Sequence, residues 1–381
     1  MDGFDRRLLL GAGLGVAGLA MAGRAGAFEA QLAPVTEAEA AAARPTHTLR
    51  FAVIGLDHAH ILLMTAALIR GGGQLVKVFA EDPVQVAAFR AKFGDVPLAR
   101  SEAEILDDPS IQLVAGAPIP NRRAPLGIRV MRHGKDFLSD KPGITDLDQL
   151  AQVRQAIAET GRKFAIMYSE RLEVPAAVKA GDLVAAGAIG KVVQTLNIAP
   201  HQINPASRPA WFWDKAQYGG ILTDIGSHQV EQFLFYTGSK TAQVLSSQVG
   251  NVAHADHPDF QDFGDVTLAG DGGAGYVRVD WFTPDGLGTW GDGRLFILGT
   301  GGYIELRKYA DPAGRPGGNH LILVDAKRAL YLDCSSVPLP FGPQFVADVV
   351  QRTEVAQGQA ETLLAAELVL LAQRDARVLR V

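Results

Sequence analysis

Between residues 49 and 167 the chain repeats one pattern: a short, continuously apolar run, then a stretch of helical length, then another short run. The first run, Leu49-Arg50-Phe51-Ala52-Val53-Ile54-Gly55, has the composition of a strand buried on both faces, as parallel sheets demand. A helical stretch at 59–69 ends at Gly71-Gly72-Gly73, and a second strand follows at 75–79. Asp82 then Pro83 give the cap-then-proline order of a helix start. Strands at 113–117, 136–139 and 164–167 alternate with helices at 122–132 and 147–159. This alternation implies a doubly wound parallel sheet with right-handed crossovers. Such sheets bind ligands beyond the carboxyl ends of their strands, where Gly55 and Lys141 both stand.

From about residue 172 the pattern changes. A helix at 175–186 and a strand at 191–198 precede a helix that carries Asp224 and His228 and runs to Thr237. Long β-rich runs follow at 244–252, 265–269, 276–282 and 294–298, punctuated by Pro284-Asp285-Gly286 and Gly291-Asp292-Gly293. Their spacing predicts an antiparallel meander, an open sheet with one face to cover. Helices at 344–354 and 359–374 close the chain. The fold expected is therefore α/β: a Rossmann domain at 48–170, then an α/β domain with a large, mostly antiparallel sheet at 171–381.

The first residues read as an export signal. Arg6-Arg7 precede an apolar stretch, 8–22, that is short for a membrane span, and Ala25-Gly26-Ala27 suits a signal peptidase. The paired arginines point to the twin-arginine route, with cleavage after Ala27 and a periplasmic protein. That route carries folded chains, which suits a cofactor loaded before export. Residues 28–47, with no apolar period, read as a mobile arm. The net charge of −5 and the absence of a basic stripe argue against nucleic-acid binding. With a single cysteine no disulfide forms within the chain, and Cys334 has no local base to make it a nucleophile.

Three elements carry chemistry. A dinucleotide turn uses glycines so that the backbone can approach the pyrophosphate at a helix N-terminus. Here Gly55-Leu56-Asp57-His58-Ala59-His60 keeps the first glycine only, with Asp57 and His60 in the places of the second and third. A carboxylate there repels a pyrophosphate unless it turns away to cap the helix, so the turn reads equally as a modified phosphate turn or as one without a nucleotide. His58 and His60, two apart on a loop, are a poor metal pair, and no metal is assigned. Glu81 is placed to reach an adenosine ribose, with Asp82 as a helix cap.

The second element is Asp140-Lys141-Pro142. Proline holds the preceding lysine extended and fixes where its side chain leaves the sheet. The third is Gly219-Gly220-Ile221-Leu222-Thr223-Asp224-Ile225-Gly226-Ser227-His228. Four residues apart on a helix means one face, so Asp224 and His228 can enter one cleft, and the two glycines allow close approach of a backbone or ligand. The alternatives are a solvated lysine, a helix cap and a packed histidine. His254-Ala255-Asp256-His257, beside Pro258 and acidic neighbours, reads as a solvated loop rather than a metal trio.

In this order the glycine turn, the Lys-Pro and the Gly-Gly-x-x-x-Asp-x-Gly-x-His run resemble the Gfo/Idh/MocA oxidoreductases, over residues 48–375. Two positions depart from that family's pattern: Asp140 stands where a glutamate is usual, and the glycine turn is eroded. The resemblance implies a tightly bound NAD or NADP and a sugar or polyol substrate. It places Gly55, Asp57, His58, His60, Glu81, Pro118, Lys141 and Pro142 on the cofactor side, and His201, Arg208, Trp211, Trp213 and Tyr168 on the substrate side. It implies Lys141, Asp224 and His228 as the catalytic group, with His228 accepting the hydroxyl proton, Asp224 orienting it and Lys141 steadying the alkoxide. It also implies a homodimer or homotetramer joined through the C-terminal sheet, outside the membrane. Two other activities fit the same residues: a redox-neutral glycoside hydrolase or lyase that oxidises transiently, and a metal-dependent or non-catalytic sugar-binding protein that has lost the nucleotide.

Overall fold

The structure, a computed structural model, describes residues 30–380. The proposed signal segment, 1–27, lies outside the described residues. The described chain opens with strand β1 (Ala30–Leu32) and helix α1 (Glu37–Ala42). The Rossmann half then runs β2 (Leu49–Ile54), α2 (His60–Arg70), β3 (Gly73–Phe79), α3 (Pro83–Phe93), α4 (Glu102–Leu106), β4 (Leu113–Gly116), α5 (Arg123–Arg132), β5 (Asp136–Asp140), α6 (Leu147–Thr160) and β6 (Phe164–Met167). These five strands form one sheet in the order β3-β2-β4-β5-β6, every pair parallel. Strands β4 and β5 are buried along their whole length, and β4 reads accordingly as an unbroken apolar run, whereas β5 buries Asp136, Ser139 and Asp140 as well. The chain reverses direction across the sheet between β2 and β4, and that switch point opens a crevice at their carboxyl ends.

Helices α7 (Ser169–Leu172) and α8 (Pro175–Ala185) lead to β7 (Val192–Pro200), then α9 (Lys215–Tyr218), α10 (Ile221–Asp224) and α11 (Gly226–Thr237). Strands β8 (Ala242–Gly250), β9 (Phe263–Gly270), β10 (Ala274–Asp280), β11 (Arg294–Gly299), β12 (Gly302–Arg307), β13 (His320–Asp325) and β14 (Ala329–Asp333) follow. Helices α12 (Phe341–Gln351) and α13 (Gln359–Arg374) and strand β15 (Arg377–Val378) complete the described chain. The second sheet has ten strands in the order β1-β14-β13-β12-β11-β7-β10-β9-β8-β15. Most of its pairs are antiparallel, as expected, but it is not a simple meander. Strand β7 sits between β10 and β11, parallel to β10 and antiparallel to β11. The sequence reading passed over β12, β13 and β14. Strands covered on one face alternate apolar with charged or small residues, as in Gly302-Tyr303-Ile304-Glu305-Leu306-Arg307, and this dilutes the apolar signal.

A second correction concerns the arm. From Ala30 to Leu32 it pairs in parallel with β14 at the sheet edge, and Thr36 with Glu39 forms a capping box on α1. Lys179, buried on α8, donates to the Pro34 carbonyl at 2.6 Å and to Glu39 at 2.8 Å. Local composition carried no sign of this, because the partners lie about 300 residues further along the chain for β1 and on another helix for Glu39. Cys334 is buried, and burial pushes its thiol up to about 12, outside nucleophilic range. No helix among the described residues is long and apolar enough to cross a membrane.

Candidate functional site

Lys141 ends the β5 segment and Asp224 ends α10, on opposite halves of the molecule. The Lys141 ammonium donates to Asp224 Oδ1 at 2.9 Å. Both line a cavity of about 410 Å³ between the two sheets. Burial alone would raise the Asp224 carboxyl, but Lys141 beside it holds it below its ordinary value. The glycines before α10 have left-handed φ angles, 89° at Gly219 and 93° at Gly220. What comes close to Gly220 is a protein side chain rather than a ligand: a Cβ there would lie 2.3 Å from the Gln373 amide. Gln373 of α13 accepts the Leu222 N–H through Oε1 at 3.1 Å, which fixes the start of α10 and so the position of Asp224.

His228 lies one turn beyond Asp224 but does not bond to it. It is buried, it is not among the cavity-lining residues, and its Nδ1 has no hydrogen-bond partner among the described residues. The expected orientation of His228 by Asp224 is thus replaced by the Lys141–Asp224 ion pair. Burial drives the His228 imidazole well below its ordinary value despite the pull of Glu170, so it is neutral near pH 7. Glu170 sits in the same buried polar cluster, where Lys308 at 2.9 Å outweighs burial and holds the carboxyl at about 2.

The altered turn has a partner that sequence reasoning did not find. His58 Nδ1 is 2.7 Å from Asp140 Oδ2, and His60 Nδ1 is 3.0 Å from Asp140 Oδ1. The buried Arg123 guanidinium closes the set, 3.1 Å from Asp140 Oδ2, and also donates to the Pro118, Lys141 and Pro142 carbonyls. Burial opposes ionisation of Asp140, yet Arg123, His60 and His58 together hold it well below the carboxylate range. An ionised carboxylate only accepts, so each imidazole donates to it through an Nδ1–H. Burial and the neighbouring His60 push His58 down to about 4, so it is neutral at pH 7. One nitrogen on each oxygen is the arrangement of two hydrogen bonds, and it explains why His58, His60 and Asp140 gather here without requiring an ion. A signal was present: Arg122-Arg123 at the start of a helix, the end where cations are disfavoured.

The remaining assignments divide. His201, Arg208 and Trp211 line the cavity, joined by Gln202, Trp281 and Trp290, which the sequence reading did not include. His201 packs edge-on against Trp281 and Trp290, and burial brings it down to about 4. Arg208 lies over the rings of Phe212 and Trp281 and donates to the Ile203 and Gln202 carbonyls. Trp213 instead stacks on His257, 3.8 Å between centroids, and Tyr168 is buried outside the cavity lining, its ring 6.2 Å from that of His228. His254 bonds Asp262 at 2.9 Å, which ties down its loop. A more voluminous groove, about 780 Å³ between Thr145 and Arg374, holds none of these groups.

A second cavity, about 370 Å³, opens at the switch point. Gly55, Asp57, Glu81 and Pro118 line it. Gly55 has φ 83°, and a Cβ there would meet the Pro118 side chain at 2.8 Å. Only glycine lets the turn pass under the β4 loop, and that leaves the crevice open. With Glu81 among its lining residues, this crevice fits the adenosine side of a dinucleotide; Lys141, preceding a cis peptide to Pro142, lines the other cavity, and Asp57 lines both.

Comparison with known proteins agrees with this geometry. Residues 49–168 match the oxidoreductase family with an NAD-binding Rossmann fold, and residues 177–305 match the GFO/IDH/MocA C-terminal domain. A solved protein from Erwinia carotovora atroseptica SCRI1043 is 48% identical, covering 87% of this chain and all of its own, with a TM-score of 0.84. The scyllo-inositol 2-dehydrogenase (NAD(+)) of Bacillus subtilis (strain 168) is 26% identical over 271 residues, 68% of this chain and 73% of that protein. A levoglucosan dehydrogenase solved with NADH and levoglucosan shares the fold at 17% identity and a TM-score of 0.70, over 86% of this chain and 98% of its own. The chain belongs to the GFO/IDH/MocA oxidoreductase family, with an NAD-binding Rossmann half and the family's C-terminal domain.

Proposed function

We propose that the protein oxidises or reduces a sugar or polyol at a CH–OH carbon, in the cavity between its two sheets. The observation that carries this reading is the Lys141–Asp224 ion pair at 2.9 Å, one partner from each half, on the wall of that cavity. The substrate class is supported by relatives named for scyllo-inositol and D-xylose, and by a lining suited to a polyol. Trp211, Trp281 and Trp290 offer apolar ring faces, while His201, Gln202 and Arg208 offer polar edges.

When bound, the nicotinamide dinucleotide supplies the hydride acceptor or donor. Gly55, Glu81 and Pro118 would hold its adenosine side, and Lys141 the side facing the substrate. Lys141, ion-paired with Asp224, stabilises negative charge on the reacting oxygen. Asp224 fixes that ammonium through Oδ1 and, on the cavity wall, is the carboxylate placed to receive the hydroxyl proton. His228, one turn beyond Asp224, is neutral near pH 7 and keeps its buried Nδ1 without a hydrogen-bond partner among the described residues. The neighbouring indoles exclude water from the reacting carbon.

The test is reduction of NAD or NADP, followed by absorbance, with a panel of sugars and polyols. Wild-type protein should turn over at least one of them, and Lys141→Ala should lower kcat by about 10²–10⁴-fold. Unchanged turnover in Lys141→Ala would remove the assignment. Export through the twin-arginine route to the periplasm, read from Arg6-Arg7 and Ala25-Gly26-Ala27, is part of the same proposal. N-terminal sequencing of the mature protein should begin at Phe28. Assembly through the open face of the ten-stranded sheet, where Val193, Leu245 and Leu298 are exposed, is the oligomer proposed, and light scattering of purified protein reads its mass.

A further inference from the structure

An ordinary dinucleotide turn holds the pyrophosphate with backbone N–H groups at the start of the following helix. This turn has given up part of that capacity. The His58 N–H is already donated to the Ala117 carbonyl at 3.1 Å. Asp57 adds a carboxylate, and Ala59, at the cap position of α2, offers no side-chain bond. His58 and His60 donate through Nδ1 to Asp140 and line the neighbouring cavity rather than this crevice.

The crevice around the turn is acidic. Asp57, Glu81, Asp82 and Glu102 line it, against two cations, Arg122 and Arg129. Arg129 is committed to Glu102, its Nε 2.7 Å from Oε1 and its Nη2 3.1 Å from Oε2. Arg122 is exposed, and its side chain makes no hydrogen bond or ion pair with any described residue. It also stands at the N-cap of α5, where the helix dipole disfavours a cation, so its position costs free energy unless an anion sits against it. A free guanidinium at a helix start, facing an acidic crevice whose ligand carries two phosphates, has one chemistry to do.

We propose that Arg122 takes over as the pyrophosphate anchor of the bound dinucleotide from a turn whose His58 amide is already engaged and whose second glycine is Asp57. The contact moves from the β2–α2 turn to the loop after β4, on the other side of the same crevice. This inference rests on the dinucleotide reading above, and the experiment separates the two. Dissociation constants would be measured by calorimetry, on extensively dialysed full-length mature protein, for NADH, NADPH, ADP-ribose and adenosine. In Arg122→Ala the constants for NADH and ADP-ribose should rise by about 10- to 100-fold, the usual worth of a charge-assisted contact. Adenosine, which lacks phosphate, should bind as before, and the salt dependence of NADH binding should become shallower. Arg122→Lys should recover part of the loss, since a point charge replaces a fork. Because Arg122 is exposed and unbonded, the variants should melt with wild-type protein. NADH affinity within twofold of wild type in Arg122→Ala overturns the proposal. So does an equal loss for adenosine, which marks a general disturbance of the crevice, or a loss confined to NADPH, which assigns Arg122 to a 2′-phosphate. Wild-type protein that binds none of the dinucleotides overturns the dinucleotide reading itself, and this inference with it.

Discussion

At the scale of single residues, the site is a set of charges that neutralise one another across domain boundaries. Lys141 and Asp224 are each poorly solvated, so removing one strands the other. Lys141→Ala should therefore lower both kcat and the melting temperature, whereas Lys141→Ala with Asp224→Asn should recover stability but not activity. Calorimetric melts of the two single variants and the double variant check this directly. The buried imidazoles make a separate statement about pH. His58 and His201 titrate at about 4 in the folded protein against an ordinary 6.5. Above pH 6.5 both states hold these rings neutral and nothing is lost. Between 6.5 and 4 the unfolded chain takes protons that the folded chain refuses, so stability falls as pH falls through that window. Each ring contributes at most about 3.5 kcal/mol, by the conversion of about 1.4 kcal/mol per pH unit. Denaturant titrations from pH 7.5 down to 4 should show this decline, and His201→Gln should make it shallower.

At the scale of elements, backbone demands explain both what sequence showed and what it hid. Gly55 was readable as a turn glycine because only glycine supplies its φ of 83° at no steric cost. Gly55→Ala adds a Cβ 2.8 Å from Pro118, in a strained conformation. It should destabilise the protein by about 1–3 kcal/mol and close the crevice, seen as a lower melting temperature and loss of NADH binding. The glycines before α10 were equally readable as points of close approach, but not what approaches: Gln373 arrives from α13, some 150 positions away. The helical stretch carrying Asp224 and His228 is two helices, α10 ending at Asp224 and α11 starting at Gly226, rather than the one expected, but it was placed correctly in the chain. Its face was not, because Asp224 is drawn to a lysine on another sheet while His228 is taken into the core. The histidines of the turn looked like unrelated loop residues until Asp140, 80 and 82 positions on, gathered them.

At the scale of the whole molecule, the two sheets meet along one seam, and the N-terminal arm is bound to the outer edge of the larger one. Removing residues 1–44 should uncover the β14 edge and release Lys179 from Glu39 and Pro34. A lower melting temperature and a greater tendency to self-associate are expected, measurable by calorimetry and light scattering. Sequence alone determined the doubly wound half, the β-rich half and the identity of the lysine and aspartate that meet between them. Apolar runs, helix caps and glycine turns are local, and the backbone obeys them wherever the segment lies. Tertiary structure alone decided the insertion of β7 between β10 and β11, the docking of the arm, and the pairing of Asp140 with two histidines and an arginine. Those depend on which side chains the folded chain brings within hydrogen-bond reach, and a distance of 3 Å in space leaves no mark on a separation of 80 residues along the chain.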